Sequence, residues 1–374
     1  MKTKTFISCL SALALAGLVS CQKNQVTVTP GITENPEETG KISVTVSVPE
    51  PETKAPNASV KDAGISSVQL FIFDRATGLY EKSSTRKTFD GETTVTMSDI
   101  TSRSGEKIVW AVLNNPAILA VANEAALKST VLDLANSSPT ALAMSGSADV
   151  DVTANATVTP NIVVERLVAK VNMEDVSVNF GGTGLQGATF TIKAIYLKNV
   201  VGNVNLDGSA PNSLVWYNQR NAAAVSASSA AIKALTLDGA PTGDNGALNI
   251  TYTNISSTTG NYIFDIDRCW YVFPNAATQD DMVNYPTRTH LVIRAHLGGS
   301  DAAGTLGENG RDTYYEVALP GPIQRNYVYN ITKVNITGEG KPNDDDDHLT
   351  EVGTIRATIT VKGWEDTETI SYNL

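Results

Sequence analysis

Reactive side chains are scarce in this sequence: 374 residues carry three cysteines and three histidines. Cys9 and Cys21 lie at the N-terminus, so Cys269 has no partner for a disulfide in the body of the chain. It sits in Arg268-Cys269-Trp270-Tyr271-Val272-Phe273, where a thiol acts as a small buried hydrophobe. His290 and His296 share a strand face but lack a third ligand, which makes them packing or surface residues. Asp344–Asp347 with His348 offers carboxylates of a kind that suits Ca²⁺, in a spacing that fits no EF-hand loop, and reads as solvated charge. Gly182-Thr183-Gly184-Leu185-Gln186-Gly187 matches G-x-G-x-x-G. A dinucleotide site needs a helix next, to aim its N-terminus at the pyrophosphate; here Ala188–Lys193 reads as strand, so the glycines form a turn. No P-loop, H-E-x-x-H or G-x-S-x-G occurs. The expectation is a chain with no catalytic residues, no metal and no cofactor: not an enzyme.

Cys21 is the cysteine with a chemistry of its own. Lys2 and Lys4 precede an apolar run from Phe6 to Val19, and the run closes on Leu18-Val19-Ser20-Cys21. A basic start, a short apolar segment and small residues describe a secretory signal over residues 1–20, too short to span a bilayer. The ending resembles a bacterial lipobox, in which the cysteine is lipidated and becomes the new N-terminus.

The elements that follow are β. Net charge is −11, which excludes a nucleic-acid partner, since that requires a basic face. After a polar Pro/Glu-bearing tether, Ile42, Val44, Val46 and Val48 alternate with Ser43, Thr45 and Ser47 as a half-buried strand. A Pro-rich linker, Pro49–Asn57, comes next and is suited to proteolysis. Val68–Phe73 and Lys107–Leu113 are near-continuous apolar runs, as in strands buried on both faces. Residues 117–136 are the best helix candidate, and Asn161–Val171 reads as one long strand. Further strands are expected over Thr189–Val201, Tyr262–Phe273, Arg288–His296, Thr313–Leu319 and Tyr327–Thr337, with loops between Asp207 and Gly260. Beyond the charged linker at 339–348, Ile355, Ala357, Ile359 and Val361 repeat the period of the first strand, and Ile370, Tyr372 and Leu374 share a face.

Taken together, the sequence resembles the fimbrillins, subunits of type V pili. The resemblance rests on Cys21, Thr53-Lys54-Ala55, Val109-Trp110-Ala111-Val112-Leu113-Asn114-Asn115-Pro116, Glu165–Val171, Ile323–Thr332 and Val361-Lys362-Gly363-Trp364. It implies a mainly β protein of two tandem transthyretin-like β-sandwich domains, with one or two short helices and a C-terminal donor-strand extension. The corresponding division is signal 1–20, lipidated propeptide 21–54 with a removable first strand, sandwich 55–160, sandwich 161–349 and extension 350–374. The resemblance further implies export to the outer membrane through the lipid on Cys21. A trypsin-like protease then cuts between Lys54 and Ala55, and the C-terminal strand of another copy or another fimbrial subunit fills the groove left by Ile42, Val44, Val46 and Val48. The family often has Arg where this chain has Lys54. Donor candidates are Ile355, Ala357, Ile359, Val361, Ile370, Tyr372 and Leu374. Four Val- or Ile-sized pockets give gross burial on the order of 5–10 kcal/mol before ordering costs. Other readings are a tip or anchor lipoprotein of the same system, or a surface glycan-binding lipoprotein that uses Trp216-Tyr217.

Overall fold

A computed structural model of the chain describes residues 38–49, 64–217, 237–238, 247–252, 262–279, 288–342, 354–364 and 370–373. The first half runs β1 (Thr39–Ser47), β2 (Ile65–Asp74), β3 (Tyr80–Ser83), β4 (Lys87–Glu92), β5 (Thr94–Arg103), β6 (Gly105–Leu113), α1 (Glu124–Lys128), β7 (Val131–Asp133), β8 (Met144–Val152), β9 (Thr157–Val158), β10 (Asn161–Val163) and β11 (Glu165–Arg166). One sheet has the order β10-β1-β5 with β9 also on β1; the other is β11-β8-β6-β2-β3 with β4 also on β2. Their apolar faces contribute to one buried cluster that includes Ile42, Val44, Val46, Val95 and Met97 from the first sheet and Leu70, Ile72, Val109 and Ala111 from the second.

The second half runs β12 (Ala169–Val178), β13 (Thr189–Lys198), β14 (Val200–Val201), β15 (Asn203–Asn205), β16 (Trp216–Tyr217), β17 (Leu237–Asp238), β18 (Ala247–Tyr252), β19 (Tyr262–Val272), β20 (His290–Gly298), β21 (Arg311–Ala318), β22 (Tyr327–Ile336), β23 (Ile355–Gly363) and β24 (Ile370–Asn373). Its two large sheets are β17-β19-β12-β22-β23-β24 and β18-β13-β20-β21. This is the expected all-β architecture. Gly182–Gly187 forms turns that lead straight into β13, and Cys269 is buried.

Two expectations are corrected. The run 161–171 is not one strand but two short ones and the start of a ten-residue third. β10 pairs with β1, β11 pairs with β8, and only from Ala169 does the chain enter β12. The passage between the two pairs of sheets therefore falls at Leu167-Val168, beyond residue 160. The chain changes sheets here, so Val164, Arg166, Leu167, Val168 and Ala169 are buried irrespective of strand parity.

The helix over 117–136 shrinks to five residues. Asn123 caps it by accepting from the Ala126 N–H at 2.8 Å. Ser129 and Thr130 end it, their hydroxyls bonding back to the Ala125 and Ala126 carbonyls. Val131–Asp133 then pairs antiparallel with Asn203–Asn205, tying the two halves together. This segment covers the outer face of β2 and β6: Gln69 Nε2 donates to Leu119 O (2.9 Å) and Trp110 Nε1 to Glu124 Oε1 (3.0 Å). That cover explains why two antiparallel strands are apolar on both faces.

A buried charge cluster lies under the second half. Glu316 Oε1 accepts from His290 Nδ1 (2.6 Å) and Glu316 Oε2 from Lys341 Nζ (2.9 Å). His290 is thus a packing residue, whereas His296, half-buried, meets Asp312 at 2.9 Å. Burial alone would raise the Glu316 carboxyl; the His290 hydrogen bond and the nearby His290, Lys198 and Lys341 charges outweigh it and hold the group at about 2, against an ordinary 4.5. A carboxyl lowered in the fold stabilises it fully above the unfolded value and loses that contribution as pH falls toward the folded one. Melting temperature is therefore expected to drop between pH 4.5 and about 2. Glu316→Gln should flatten that part of a thermal-unfolding profile while lowering stability at pH 7.

Candidate functional site

The residues of functional interest are those that fix the first strand and those that could replace it. Ile42, Val44, Val46 and Val48 are at most 3 % exposed, as the two-residue period dictates. Both edges of β1 are occupied. On one side β5 runs antiparallel, from Thr39↔Arg103 to Ser47↔Thr94. Ser98 and Asp99 form a bulge there opposite Ser43, with Asp99 at φ 60. On the other side β9 and β10 run parallel. The Lys41 N–H donates to Ala156 O (2.8 Å), the Thr45 N–H to Pro160 O (3.1 Å) and the Val164 N–H to Ser47 O (3.1 Å). β1 is therefore interior to its sheet, and its loss would leave a slot with an unpaired edge on each side.

The C-terminal residues are placed differently from one another. Ile355, Ala357, Ile359 and Val361 are buried, and β23 is an interior strand between β22 and β24. They belong to the core of their own sandwich and do not stand outboard of it. β24 is the outer strand, paired with β23 from Thr358↔Asn373 to Val361↔Ile370. Its Ile370 is 61 % and its Tyr372 36 % exposed. Cys21, Lys54, Ala55, Leu374 and the Asp344–His348 run lie outside the described residues.

The residue that sequence reasoning passed over is Arg166, which closes β11 and is fully buried. Its Nη2 donates to Pro49 O just past β1 (3.0 Å), and its Nη1 to Asn326 Oδ1 (3.0 Å). Its guanidinium carbon stands 4.5 Å from the centroid of the Trp364 ring, just past β23. The Trp364 N–H donates to Asn326 O (2.8 Å), and Asn326 takes a left-handed φ of 58 that asparagine tolerates. The Trp364 ring stacks on Tyr271 at 6.4 Å and 8°. One charge thus touches both ends of the described chain.

Trp216 and Tyr217 do not form an exposed aromatic platform. Both are half-buried in β16, and the Tyr217 hydroxyl donates to Asp133 Oδ1 at 2.7 Å. Burial, and then that carboxylate, push the hydroxyl up to about 12. Trp216 lines a cavity of about 320 Å³ with Val201, Leu214, Ile323 and Arg325. Arg325 Nη1 is buried and has no hydrogen-bond partner among the described residues.

No protein-family model matches the chain, and no curated protein matches it. Solved structures do. A protein assigned to cell adhesion from Parabacteroides distasonis is 16 % identical, over 89 % of this chain and 99 % of that one, with a TM-score of 0.58. Another from Bacteroides eggerthii is 18 % identical over 87 % and 96 %, with a TM-score of 0.56. A fimbrilin from Porphyromonas gingivalis is 17 % identical over 88 % and 99 %, with a TM-score of 0.55. Across nearly its whole described length, the chain has the β-sandwich fold of a fimbrilin.

Proposed function

We propose that this protein is a structural subunit of a cell-surface fimbria, made as a lipoprotein and polymerised by strand exchange. Lipid on Cys21 anchors the precursor in the outer membrane. A trypsin-like protease cuts between Lys54 and Ala55, β1 leaves, and the slot takes a C-terminal strand from the next copy. The observation that carries this reading is the interior position of β1. An interior strand joined to the rest of its sheet by a protease-suited linker can be removed whole, and a slot with two unpaired edges accepts a strand. Head-to-tail contacts of this kind do not close on themselves, so they make fibres. The likeness to a fimbrilin supports the same reading.

The donated strand is β24. β23 is core to its own sandwich, whereas β24 is an outer strand with apolar side chains in water, and it leaves at the lower cost. The test is limited trypsin digestion of the folded chain beginning at Gln22. Mass spectrometry identifies the new N-terminus and unboiled gels show oligomers. The expected result is Ala55 at the N-terminus and a ladder that disappears when residues 365–374 are deleted. Clean cutting that yields monomer alone would overturn the assembly reading. The cavity beside Trp216, where an Arg325 N–H meets no acceptor among the described residues, then favours the second reading: a surface lipoprotein that binds a ligand, adhesive rather than polymeric.

A further inference from the structure

We propose that Arg166 is a latch through which the first strand holds the C-terminal hairpin, so that processing loosens the segment to be donated at the moment the acceptor slot opens. The proposal rests on the assembly reading above and adds its regulation. A buried guanidinium is stable where acceptors replace its lost water. Two acceptors of Arg166 are the Pro49 carbonyl, which leaves with β1, and the Asn326 side chain, which stays. Its flat face covers Trp364, which is 1 % exposed and lies between β23 and β24 in the chain.

While β1 is in place, the cation is dry and its hold on the indole is strong. Loss of Pro49 removes an acceptor and opens the slot to water, and a hydrated cation attracts an aromatic face several-fold less strongly than a desolvated one. Trp364 then keeps its main-chain bond to Asn326 and its stack on Tyr271 but loses the charge above it. The hairpin it anchors is already weak at its outer strand, where Ile370 and Tyr372 face water. Such coupling is reciprocal: a hairpin held down also helps to hold β1. An uncut subunit therefore keeps its donor closed as well as its acceptor filled, and premature exchange between precursors is blocked at both ends.

Hydrogen exchange followed by mass spectrometry tests this on the full chain, cut by trypsin in the folded state. Exchange over residues 355–373 is compared with the first-strand fragment bound and after its removal. The expected change on removal is about tenfold faster exchange there, equal to ~1.4 kcal/mol of lost protection. A synthetic peptide of residues 38–50 should restore protection. A peptide ending at Val48, which fills the slot but lacks the Pro49 carbonyl, should not. In Arg166→Lys, exchange should be fast with either peptide and without one. If that variant fails to fold, the two peptides still decide the matter on the natural chain. Equal protection by both peptides, or no change over 355–373 while β5 becomes unprotected, overturns the latch and leaves the assembly reading intact. If no cut appears at Lys54, or the fragment never leaves, the reading beneath it fails and the latch with it.

Discussion

Val44→Asp is expected to cost the first sandwich about 4 kcal/mol or more and to release β1 from the sheet. Val44 is fully buried at the middle of the strand, opposite Met97. The substitution gives up the burial of a valine, worth about 1.5–3 kcal/mol, and puts a carboxylate where no donor waits. Its neighbour Thr45 faces the other way and is half-buried, beside Thr96. Thr45→Lys should stay within about 1 kcal/mol of the natural chain. Denaturant unfolding of the two variants measures the contrast, and trypsin sensitivity reports whether the strand has left. Under the assembly reading, Val44→Asp also forms oligomers without being cut, because the slot empties by itself. A Val44→Asp chain as stable and as protease-resistant as the Thr45→Lys chain would show that β1 is not part of the cooperative sheet. That outcome would remove the physical basis of strand exchange.

The alternation of Ile42, Val44, Val46 and Val48 is legible because side-chain direction follows from the backbone alone. Which strands flank it is not, because pairing is settled by residues far along the chain: Arg103 on one edge and Asn161 on the other. The same limit applies at the other end. Ile355, Ala357, Ile359 and Val361 show the period of β1, but period does not say whose sheet the strand joins, and β22 claims it. Asn161–Val171 looks like one strand because it is rich in Val, Ile and Leu and holds no Gly or Pro; the change of sheet at Leu167 is a tertiary event. The helix expected over 117–136 loses to the pairing of Val131–Asp133 with Asn203–Asn205, a contact that local propensity does not contain. Arg166 is the clearest case. In sequence it is a charge in an apolar run, and its acceptors at Pro49 and Asn326 are 117 and 160 residues away. The signal available was a charged residue where strand parity asks for an apolar one.

Asn114→Asp is expected to be among the most damaging single-atom changes in the molecule, costing about 3 kcal/mol or more at neutral pH. Asn114 directly follows β6, with a φ of 55, and is buried. All four of its amide hydrogen bonds are made. Oδ1 accepts from the Ser66 and Ser67 N–H groups at 2.8 and 3.0 Å. Nδ2 donates to Gly64 O at 2.9 Å and to Leu142 O at 3.0 Å. Aspartate keeps the two acceptances and sets a charged oxygen against two carbonyls, so the deficit should be relieved as pH falls and the carboxyl protonates. Asn114→Gly loses every side-chain bond but keeps the left-handed backbone, and its deficit should be insensitive to pH. Thermal unfolding of the two variants at pH 7 and pH 4.5 separates the causes; a pH-independent Asn114→Asp would mean that the site admits water. The position gives the network its functional weight. Gly64–Ser67 is where the described chain resumes after the linker, and Asn114 pins it to Leu142 before β8. Under the assembly reading, cutting at Lys54 would make that linker a free N-terminus. The processed subunit would then need a clamp between its new end and the sheet that stays folded while its neighbour strand is exchanged, and Asn114 is placed to supply it.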